Sequence, residues 1–451
     1  MASFENIKNL YFIGIGGIGM SALARYFALL GKNVAGYDKT RTELTRNLEN
    51  EGIPVFYKDE AESIPSEFKN DKNTLVVYTP AVSKNSNIYQ YFLAEGFKIE
   101  KRAGVLGMIT ENTFTLAVAG THGKTTTTTI LAHLLNETGA EVTAFLGGIS
   151  ENNQSNLILS GTKVMVVEAD EYDRSFLRLS PNIAAITSMD ADHLDIYGEN
   201  SQLQDSFRAF AALLPKNGIL FHKNGLPLEG TSLGIDDDAD IRAENIRIEN
   251  GTYIFDLNRR GEIHKNFRLT LPGKHNLMNA VTALAMAMEY GIPADPLVNA
   301  LAGFKGVKRR FSYKIKQENL VLIDDYAHHP AEIAAAHQAV REMHPGKKVL
   351  AVFQPHLFSR TRDFAEDFAA SLDLFDEILL LDIYPAREEP IEGITSEWLL
   401  GKLENSQKKL VQKERISEEI KKTNPEVVLL IGAGDIGEEV ETIKNNLQNE
   451  N

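Results

Sequence analysis

The sequence predicts an α/β protein with three domains in series, and three observations lead to this fold class. The chain has 451 residues, more than one hydrophobic core usually holds. Apolar runs of strand length alternate with amphipathic, helix-like stretches, which is typical of parallel α/β layers. New series of strand, loop and helix begin near residues 110 and 312. We therefore expect domains at residues 1–109, 110–311 and 312–451.

The overall composition excludes several classes of function. The formal net charge is −15, which argues against a protein that coats nucleic acid or an anionic membrane. The chain has no cysteine, so disulfides, thiolate metal sites, iron–sulfur clusters and cysteine nucleophiles are excluded. No apolar run approaches the roughly 20 residues of a membrane-spanning helix, and the first residues lack the pattern of a secretory leader. We expect a soluble, cytoplasmic protein, for which a small anionic substrate remains open.

The first domain begins with a glycine loop that follows a strand. A strand predicted at Leu10–Ile15 leads into the run Gly-Ile-Gly-Gly-Ile-Gly and then into a helix. The second strand, Asn33–Tyr37, is followed by Asp38. In the dinucleotide-binding pattern the glycines let backbone N–H groups approach a diphosphate, and the acid meets a ribose hydroxyl. Alone, the pattern favours NAD, with a tight turn that only packs helix on strand as the alternative. Its glycines are Gly14, Gly16, Gly17 and Gly19.

The second domain carries a stronger phosphate-binding pattern. The strand Phe114–Ala119 is followed by Gly-Thr-His-Gly-Lys-Thr-Thr and by a helix. We expect backbone N–H groups around Gly123 to surround a phosphate, Lys124 to neutralise its oxygens, and the Thr125 hydroxyl to bind Mg²⁺. The loop departs from the strict Walker A pattern because Val118 stands where the first glycine is required. The alternative is a purely structural turn, which the strand–loop–helix context disfavours.

Acidic residues follow two further strands of this domain. Glu168 ends the strand Val164–Glu168 and begins the run Glu-Ala-Asp-Glu-Tyr-Asp, while His193 lies in Asp-Ala-Asp-His-Leu-Asp after the strand Ile183–Thr187. Since the carboxyl ends of parallel strands meet at one edge of a sheet, both clusters should lie near the phosphate loop. Glu168 suits Mg²⁺, and His193 is a second, less usual ligand. Each cluster taken alone is more typical of a solvated loop.

The pattern changes after these strands. Residues 241–271 predict short antiparallel strands, with Asn250–Gly251 as a hairpin turn. A helix follows at Asn276–Tyr290, and its first turn places Asn276 and Asn279 on one face.

The third domain repeats the alternation of strands and helices. The run Lys-Arg-Arg-Phe, which includes Arg310, precedes this domain. It either forms an interdomain salt bridge or brings a positive charge to a phosphoryl group during its transfer. The run Asp-Asp-Tyr-Ala-His-His-Pro ends the first strand, and we expect one histidine to cap a helix and the other to contact substrate. A second glycine run, Gly432–Gly437, is equally consistent with a repeated turn and with a nucleotide site. The strands are predicted at Leu320–Asp324, Lys348–Phe353, Glu377–Asp382 and Val427–Ile431.

Taken together, the motifs resemble the bacterial Mur ligase family. GTHGKTT, EADE, DADHLD, LPGKHNLMNA, KRRF and DDYAHHP occur in the order typical of that family, and the resemblance covers essentially the whole chain. It implies a Rossmann-like N-terminal domain for a UDP-sugar, a central P-loop-type ATPase α/β domain with a small antiparallel part, and a Rossmann-like C-terminal domain for an amino acid. The first glycine loop is thereby reassigned from NAD to the diphosphate of a UDP-sugar.

The resemblance also implies roles for individual residues. ATP contacts are expected at Gly120, Thr121, Gly123, Lys124, Thr125, Thr126, His275, Asn276, Asn279, Arg310 and Asp325. UDP-sugar contacts are expected at Gly14, Gly16, Gly17, Gly19 and Asp38. Amino-acid contacts are expected at Tyr326, His328, His356 and Arg360, and Mg²⁺ ligands at Thr125, Glu168 and His193. Lys124 and Arg310 are expected to act on the phosphoryl group, and His328 on the proton of the amine.

Within the family, the opening FIGIGGIGMSALA, with DDYAHHP and FQPHLFSRTRD, is most similar to members that join L-alanine to the lactyl carboxylate of UDP-N-acetylmuramate. The expected reaction passes through an acyl phosphate, uses ATP and Mg²⁺, and is carried out by a monomer or homodimer without nucleic acid or membrane partners. Three alternatives remain open. They are a sister ligase that recycles a murein tripeptide, an NAD-dependent dehydrogenase that uses Asp38, and a P-loop switch without ligase chemistry.

Overall fold

A computed structural model describes residues 4–190, 200–249, 251–386 and 388–448 of the chain. The strands in this part of the chain form three sheets, of five, ten and six strands. Helices separate most of the parallel strands, so the predicted α/β class is confirmed.

The first sheet contains five parallel strands in the order β3-β2-β1-β4-β5, which is the order of a dinucleotide-binding fold. Strand β1 is buried along its whole length, as expected for the centre of such a sheet. The strands are β1 (Asn9–Ile13), β2 (Asn33–Tyr37), β3 (Val55–Phe56), β4 (Thr74–Tyr78) and β5 (Lys98–Lys101). The helices are α1 (Ile18–Leu29), α2 (Glu43–Asn50), α3 (Asn87–Ala94) and α4 (Arg102–Thr110).

The second sheet has the order β15-β14-β13-β12-β11-β10-β6-β9-β7-β8. Its central strands β10, β6 and β9 run parallel, so their carboxyl ends share one edge. The strands are β6 (Phe114–Ala119), β7 (Val142–Ser150), β8 (Ser155–Leu159), β9 (Val164–Glu168), β10 (Ile183–Ile186), β11 (Ile219–Lys223), β12 (Thr231–Ile235), β13 (Ile241–Glu249), β14 (Thr252–Arg259) and β15 (Glu262–Leu269). The helices are α5 (Lys124–Glu137), α6 (Asn200–Ala211), α7 (Lys274–Tyr290) and α8 (Ala294–Ala302).

One antiparallel part of this sheet lies at its β15 edge, and β7 and β8 pair antiparallel at the opposite edge. Only Arg260 and Gly261 connect β14 to β15, and strands joined so tightly must run antiparallel. This agrees with the pattern of residues 241–271. Asn250 of the predicted hairpin turn lies outside the described residues, whereas Gly251 has a φ of 74°, which suits such a turn.

The third sheet has the order β16-β17-β21-β18-β19-β20, with β16 antiparallel and the other strands parallel. The strands are β16 (Ser312–Lys316), β17 (Val321–Asp325), β18 (Val349–Phe353), β19 (Glu377–Leu380), β20 (Lys408–Leu410) and β21 (Val427–Ile431). The helices are α9 (Pro330–Met343), α10 (Phe358–Asp363), α11 (Ala365–Leu372), α12 (Ser396–Leu400), α13 (Ile416–Thr423) and α14 (Ile436–Gln448).

Close packing divides the chain into two compact units. The first consists of Met1–Arg247, Ile254–Arg268 and Met278–Lys305, and the second of Ile248–Tyr253, Leu269–Leu277 and Gly306–Asn451. Each unit has its own buried apolar core. Within the described ranges, no helix combines the length and the apolar character needed to cross a bilayer.

Candidate functional site

The phosphate loop of the first unit joins the carboxyl end of β6 to α5. Gly120 has a φ of 134° and Gly123 a φ of 83°, conformations that glycine adopts without strain. A Cβ atom at Gly120 would lie 2.2 Å from Oγ1 of Thr187, and one at Gly123 would lie 2.5 Å from Oδ1 of Asn279. The path of the loop therefore requires both glycines.

The residues after β10 hold this loop in place. The hydroxyl of Ser188 lies 2.8 Å from that of Thr121 and accepts a 2.8 Å hydrogen bond from the N–H of His122. The Thr187 hydroxyl donates to the carbonyl oxygen of His122 at 2.5 Å. These bonds hold the loop in one conformation, which lowers the ordering cost of phosphate binding.

The first turn of α5 faces the loop. It begins at Lys124 and includes Thr125 and Thr126. The backbone N–H groups of a first turn have no carbonyl partner within the helix, and together with the helix dipole they favour a bound phosphate. The predicted phosphate-binding segment thus has the geometry that its chemistry requires.

The Lys124 ammonium lies on the loop itself. It donates to the carbonyl oxygens of Gly120 at 2.6 Å and Thr121 at 3.4 Å, and to Oε1 of Glu171 at 2.8 Å. Burial disfavours its charge, but the neighbouring carboxylates, chiefly that of Glu171, outweigh burial and raise the pKa of Lys124 above its usual value. Lys124 is therefore charged. The sequence assigned no role to Glu171. Only its position three residues after Glu168, in the same acidic run, indicated that it could lie near the phosphate loop.

Thr125 and Glu168 form the second contact of this turn. The Thr125 hydroxyl donates to Oε1 of Glu168 at 3.0 Å, and a hydroxyl and a carboxylate are oxygen ligands that suit Mg²⁺. Gly147 leaves space beside them, since a Cβ there would lie 2.1 Å from Oε2 of Glu168. His193 lies outside the described residues, and the described part of the chain holds no cluster of three acidic or histidine side chains for a metal. The donor chemistry of Thr125 and Glu168 fits the ion.

The first glycine loop follows β1 and begins α1. A Cβ at Gly14, which has a φ of 85°, would lie 2.6 Å from Cγ2 of Thr79. The N–H of Gly16 donates to Oδ2 of Asp38 at 2.8 Å. Gly17 immediately precedes α1. The Asp38 carboxylate therefore bonds the loop itself, whereas the sequence pattern places such an acid at a ribose hydroxyl.

Arg102, which the sequence did not single out, lies beside this loop. A Cβ at Gly19 would lie 2.8 Å from an Nη atom of Arg102, and the guanidinium is 3.5 Å from the carboxylate of Asp170. Next to it, Lys101 pairs with Asp173 at 2.9 Å. Two ion pairs thus connect the start of α4 with the segment that follows β9.

The second unit has its own polar cluster at the end of β17. The carboxylate of Asp325 accepts hydrogen bonds from the N–H of Phe311 at 2.8 Å and of Ala327 at 2.7 Å. Burial raises the pKa of Asp325 to about 6, although Arg310 and these bonds oppose the rise. The Arg310 guanidinium lies over the ring of Tyr326, 5.1 Å from its centroid.

His328 belongs to the same cluster. Its Nδ1 is 3.0 Å from the carbonyl oxygen of Tyr326 and 3.4 Å from Oε2 of Glu332. Burial lowers the pKa of His328 to about 4. Its imidazole is therefore neutral near pH 7. With Nδ1 facing a carbonyl oxygen, the proton of His328 is placed on Nδ1 and the lone pair on Nε2.

The other histidines of this cluster have separate roles. His329 is the N-cap of α9, where Nδ1 accepts from the backbone N–H two residues later, so the predicted capping histidine is confirmed. The His356 ring stacks on Tyr384 with centroids 5.8 Å apart and lies 6.1 Å from the ring of His328. Arg360 is buried in α10.

The first turn of α7 carries the predicted asparagines. Asn276 donates to the carbonyl oxygen of Pro272 at 2.6 Å, and Asn279 lies against Gly123 of the phosphate loop. Both are buried. Asn279 is therefore placed directly at the loop that the sequence assigns to ATP.

The C-terminal glycine run packs against side chains of its own unit. The carbonyl oxygen of Gly432 accepts a 2.5 Å hydrogen bond from Arg309. The Gln354 side chain accepts from the N–H of Ile436 at 2.9 Å and donates to Asp435 at 2.7 Å. These contacts favour the repeated turn over a second nucleotide site.

The three α/β sheets and the lysine-bearing phosphate loop define a nucleotide-binding α/β protein. More particularly, the chain belongs to the Mur ligase family. Residues 9–113 match the model of the Mur ligase family catalytic domain, residues 118–287 that of the Mur ligase middle domain, and residues 309–434 that of the Mur ligase glutamate ligase domain.

Relatives match over the full length of the chain. The UDP-N-acetylmuramate–L-alanine ligase of Christiangramia forsetii is 65% identical over 451 residues, which covers 100% of both chains. The enzyme of that name from Flavobacterium psychrophilum is 60% identical and 99% of each chain is covered. Among solved structures, the UDP-N-acetylmuramate–alanine ligase of Thermotoga maritima has a TM-score of 0.84 at 28% identity, covering 98% of this chain and 100% of that one.

Proposed function

We propose that the chain joins L-alanine to the lactyl carboxylate of UDP-N-acetylmuramate at the expense of ATP, in the synthesis of peptidoglycan precursors. The observation that carries this function is the 65% identity, over the whole of both chains, with a relative of that name. The phosphate loop supports it, because the charged Lys124 and the first turn of α5 are suited to the phosphates of ATP.

The reaction has two steps. First, a carboxylate oxygen of the sugar nucleotide attacks the γ-phosphorus of ATP in line, the bond to the bridging oxygen breaks, and an acyl phosphate and ADP form. Second, the neutral amine of alanine attacks the acyl carbon, and the tetrahedral intermediate expels phosphate and loses a proton. Lys124 stabilises the charge that spreads over the phosphoryl oxygens in the first step, which is mainly electrostatic work.

The remaining roles follow the family assignment. The first glycine loop, which Asp38 positions, holds the UDP diphosphate, and Arg310 and Asp325 act on ATP with the α7 residues His275, Asn276 and Asn279. Thr125 and Glu168, together with His193, would hold Mg²⁺, which neutralises phosphate charge when bound. Alanine is assigned to Tyr326, His328, His356 and Arg360.

His328 is the proposed acceptor of the proton from the amine. Its Nε2 carries the lone pair, because Nδ1 faces the carbonyl oxygen of Tyr326. A pKa of about 4 makes it a weak base, so we expect its contribution to lie near the low end of the usual 10²–10⁴-fold range for acid–base groups.

One assay tests the function and separates its rivals. Phosphate release is measured with UDP-N-acetylmuramate and, in turn, alanine, serine, glycine and the murein tripeptide. We expect release with alanine and none with the tripeptide, and we expect Lys124→Ala to abolish it. Release that requires the tripeptide would establish the recycling ligase instead, and ATP hydrolysis without either substrate would favour a P-loop switch. Binding of NAD, measured by fluorescence quenching, would favour the dehydrogenase.

The division into domains at residues 109 and 311 is proposed with this function, and the three family matches, which end or begin near these positions, support it. The net charge of −15 supports an enzyme that acts without nucleic acid or membrane partners. A cytoplasmic location and a monomeric or homodimeric state are part of the same proposal, which cell fractionation and sedimentation test.

A further inference from the structure

The carboxylate of Glu171 has no part in the reaction described above. Its side chain is 0% exposed, and that of Lys124 is 13% exposed. Oε1 of Glu171 lies 2.8 Å from Nζ of Lys124. A buried carboxylate is costly unless a partner compensates it, so this ion pair determines where the lysine ammonium lies.

The ammonium has three N–H bonds and three acceptors. Two acceptors are carbonyl oxygens of its own loop, those of Gly120 at 2.6 Å and Thr121 at 3.4 Å. The third is Glu171, which alone among the three carries a charge. A phosphate oxygen of ATP must therefore replace one of these contacts. The contact to Thr121 is the longest and neutral, so it is the one that is lost at least cost.

We propose that Glu171 is a positioning residue for Lys124, whose ammonium it holds at the phosphate loop while an ATP phosphate oxygen replaces the contact to Thr121. This inference rests on the proposed function, since it assigns Lys124 to the phosphates of ATP.

The spacing of two carboxylates supports the proposal independently. Glu168 accepts from Thr125 at 3.0 Å, and Glu171, three residues later, accepts from Lys124 at 2.8 Å. One short segment at the end of β9, from Glu168 to Glu171, thus holds two successive residues of the first turn of α5. The segment sets the position of both the proposed Mg²⁺ ligand and the lysine.

The first experiment compares turnover in three variants. Glu171→Gln keeps the shape but removes the charge, and we expect kcat to fall by at least about tenfold, because a misplaced cation loses much of its effect on the phosphoryl group. We expect KM for UDP-N-acetylmuramate to stay within about twofold. Glu171→Asp keeps the charge and should retain more activity than Glu171→Gln.

The matched control is Asp173→Asn, which removes the exposed pair with Lys101 from the same segment and should leave kcat near that of the unaltered protein. An unchanged kcat in Glu171→Gln would overturn the proposal.

A double-mutant cycle tests whether Glu171 acts through Lys124. Binding of a non-hydrolysable ATP analogue is measured for Glu171→Gln in the natural chain and in Lys124→Ala. We expect Glu171→Gln to weaken binding several-fold when Lys124 is present and not to weaken it when Lys124 is absent. Equal weakening in both backgrounds would show that Glu171 acts on the nucleotide by another route. This cycle needs no turnover, so it distinguishes failure of the inference from failure of the proposed function, which would appear as no alanine-dependent phosphate release by the unaltered protein.

Discussion

Oδ2 of Asp38 lies 2.8 Å from the backbone nitrogen of Gly16, so the acid at the end of the second strand holds the glycine loop that follows the first. Its other oxygen accepts from the N–H of Thr40 at 3.1 Å. The carboxylate thus ties two loops together at the carboxyl edge of the sheet. In a dinucleotide site the corresponding acid is directed at a ribose. Here the same residue type at the same strand end positions the loop.

This contact makes Gly16 a sensitive position. A Cβ there would lie 2.8 Å from Oδ2 of Asp38 and 2.6 Å from Cγ2 of Thr45, so Gly16→Ala must displace the carboxylate. We expect a lower midpoint of thermal unfolding and a KM for UDP-N-acetylmuramate raised by about tenfold or more. Gly17→Ala is the matched comparison, because Gly17 has a φ of −66° and its added Cβ would meet nothing closer than 3.6 Å. It should unfold like the natural chain. Identical KM and unfolding midpoint in Gly16→Ala and the natural chain would contradict this account.

The Thr125–Glu168 contact predicts how the enzyme depends on Mg²⁺. Glu168→Gln removes a charged oxygen ligand, so we expect the Mg²⁺ concentration for half-maximal phosphate release to rise by about tenfold or more. Chelation of divalent ions should abolish activity in both proteins. Glu141→Gln serves as a control, since Glu141 forms an exposed ion pair with Lys163. The same Mg²⁺ dependence in Glu168→Gln and Glu141→Gln would exclude Glu168 as a ligand.

Strands β6, β9 and β21 were predictable from the sequence because each is a mostly apolar run that ends at glycine or at polar residues. The predicted bounds of Phe114–Ala119, Val164–Glu168 and Val427–Ile431 agree with the structure to the residue. The bounds of others differ by one or two residues, as Ile183–Thr187 does from Ile183–Ile186, since the last residue of a strand depends on its neighbour rather than on its own side chain.

The pairing of polar side chains was not predictable in the same way. Glu171 is 47 positions from Lys124, and Asp170, its neighbour, pairs with Arg102 instead. Nothing in the local sequence decides which of these two acids faces the lysine, because that choice depends on how the segment after β9 packs against α5 and α4. The motif indicated a phosphate site, and only the fold shows which carboxylate supports the lysine.

Two groups of the second unit should affect its stability in opposite directions as the pH falls from about 7 towards 4. His328 has a folded-state pKa of about 4, against an ordinary value of 6.5, because burial disfavours its charged form. Below pH 6.5 the unfolded chain binds a proton at this histidine that the folded chain does not, so the titration of His328 favours unfolding in acid. Asp325 has the opposite effect, because its pKa of about 6 lies above the ordinary 3.8 and the folded state takes up its proton first.

Urea-unfolding midpoints at pH 7, 6 and 5 measure these effects. We expect acidification to destabilise His328→Gln less than the natural chain, and Asp325→Asn more than the natural chain. The same pH dependence in all three proteins would show that these groups do not titrate as their burial implies.

Asn156 should be among the most sensitive positions for stability in the first unit. It is fully buried, donates to the carbonyl oxygen of Ile18 at 2.5 Å and to the hydroxyl of Ser21 at 2.9 Å, and accepts from Arg25 at 2.5 Å. Arg25 in turn forms two hydrogen bonds to Glu51, at 2.6 and 2.7 Å. Asn156→Ala leaves a buried guanidinium N–H of Arg25 without its acceptor, which costs about 2–4 kcal/mol. For a unit of this size we expect the midpoint of thermal unfolding to fall by about 5 °C or more. The control removes contacts at the surface. Arg41→Ala breaks an exposed pair with Glu49 and a contact with the ring of Tyr57, and it should change the midpoint little. If the two variants unfold at the same temperature, the network around Arg25 does not stabilise α1, and the position of the glycine loop that precedes α1 must depend on the packing of the sheet alone.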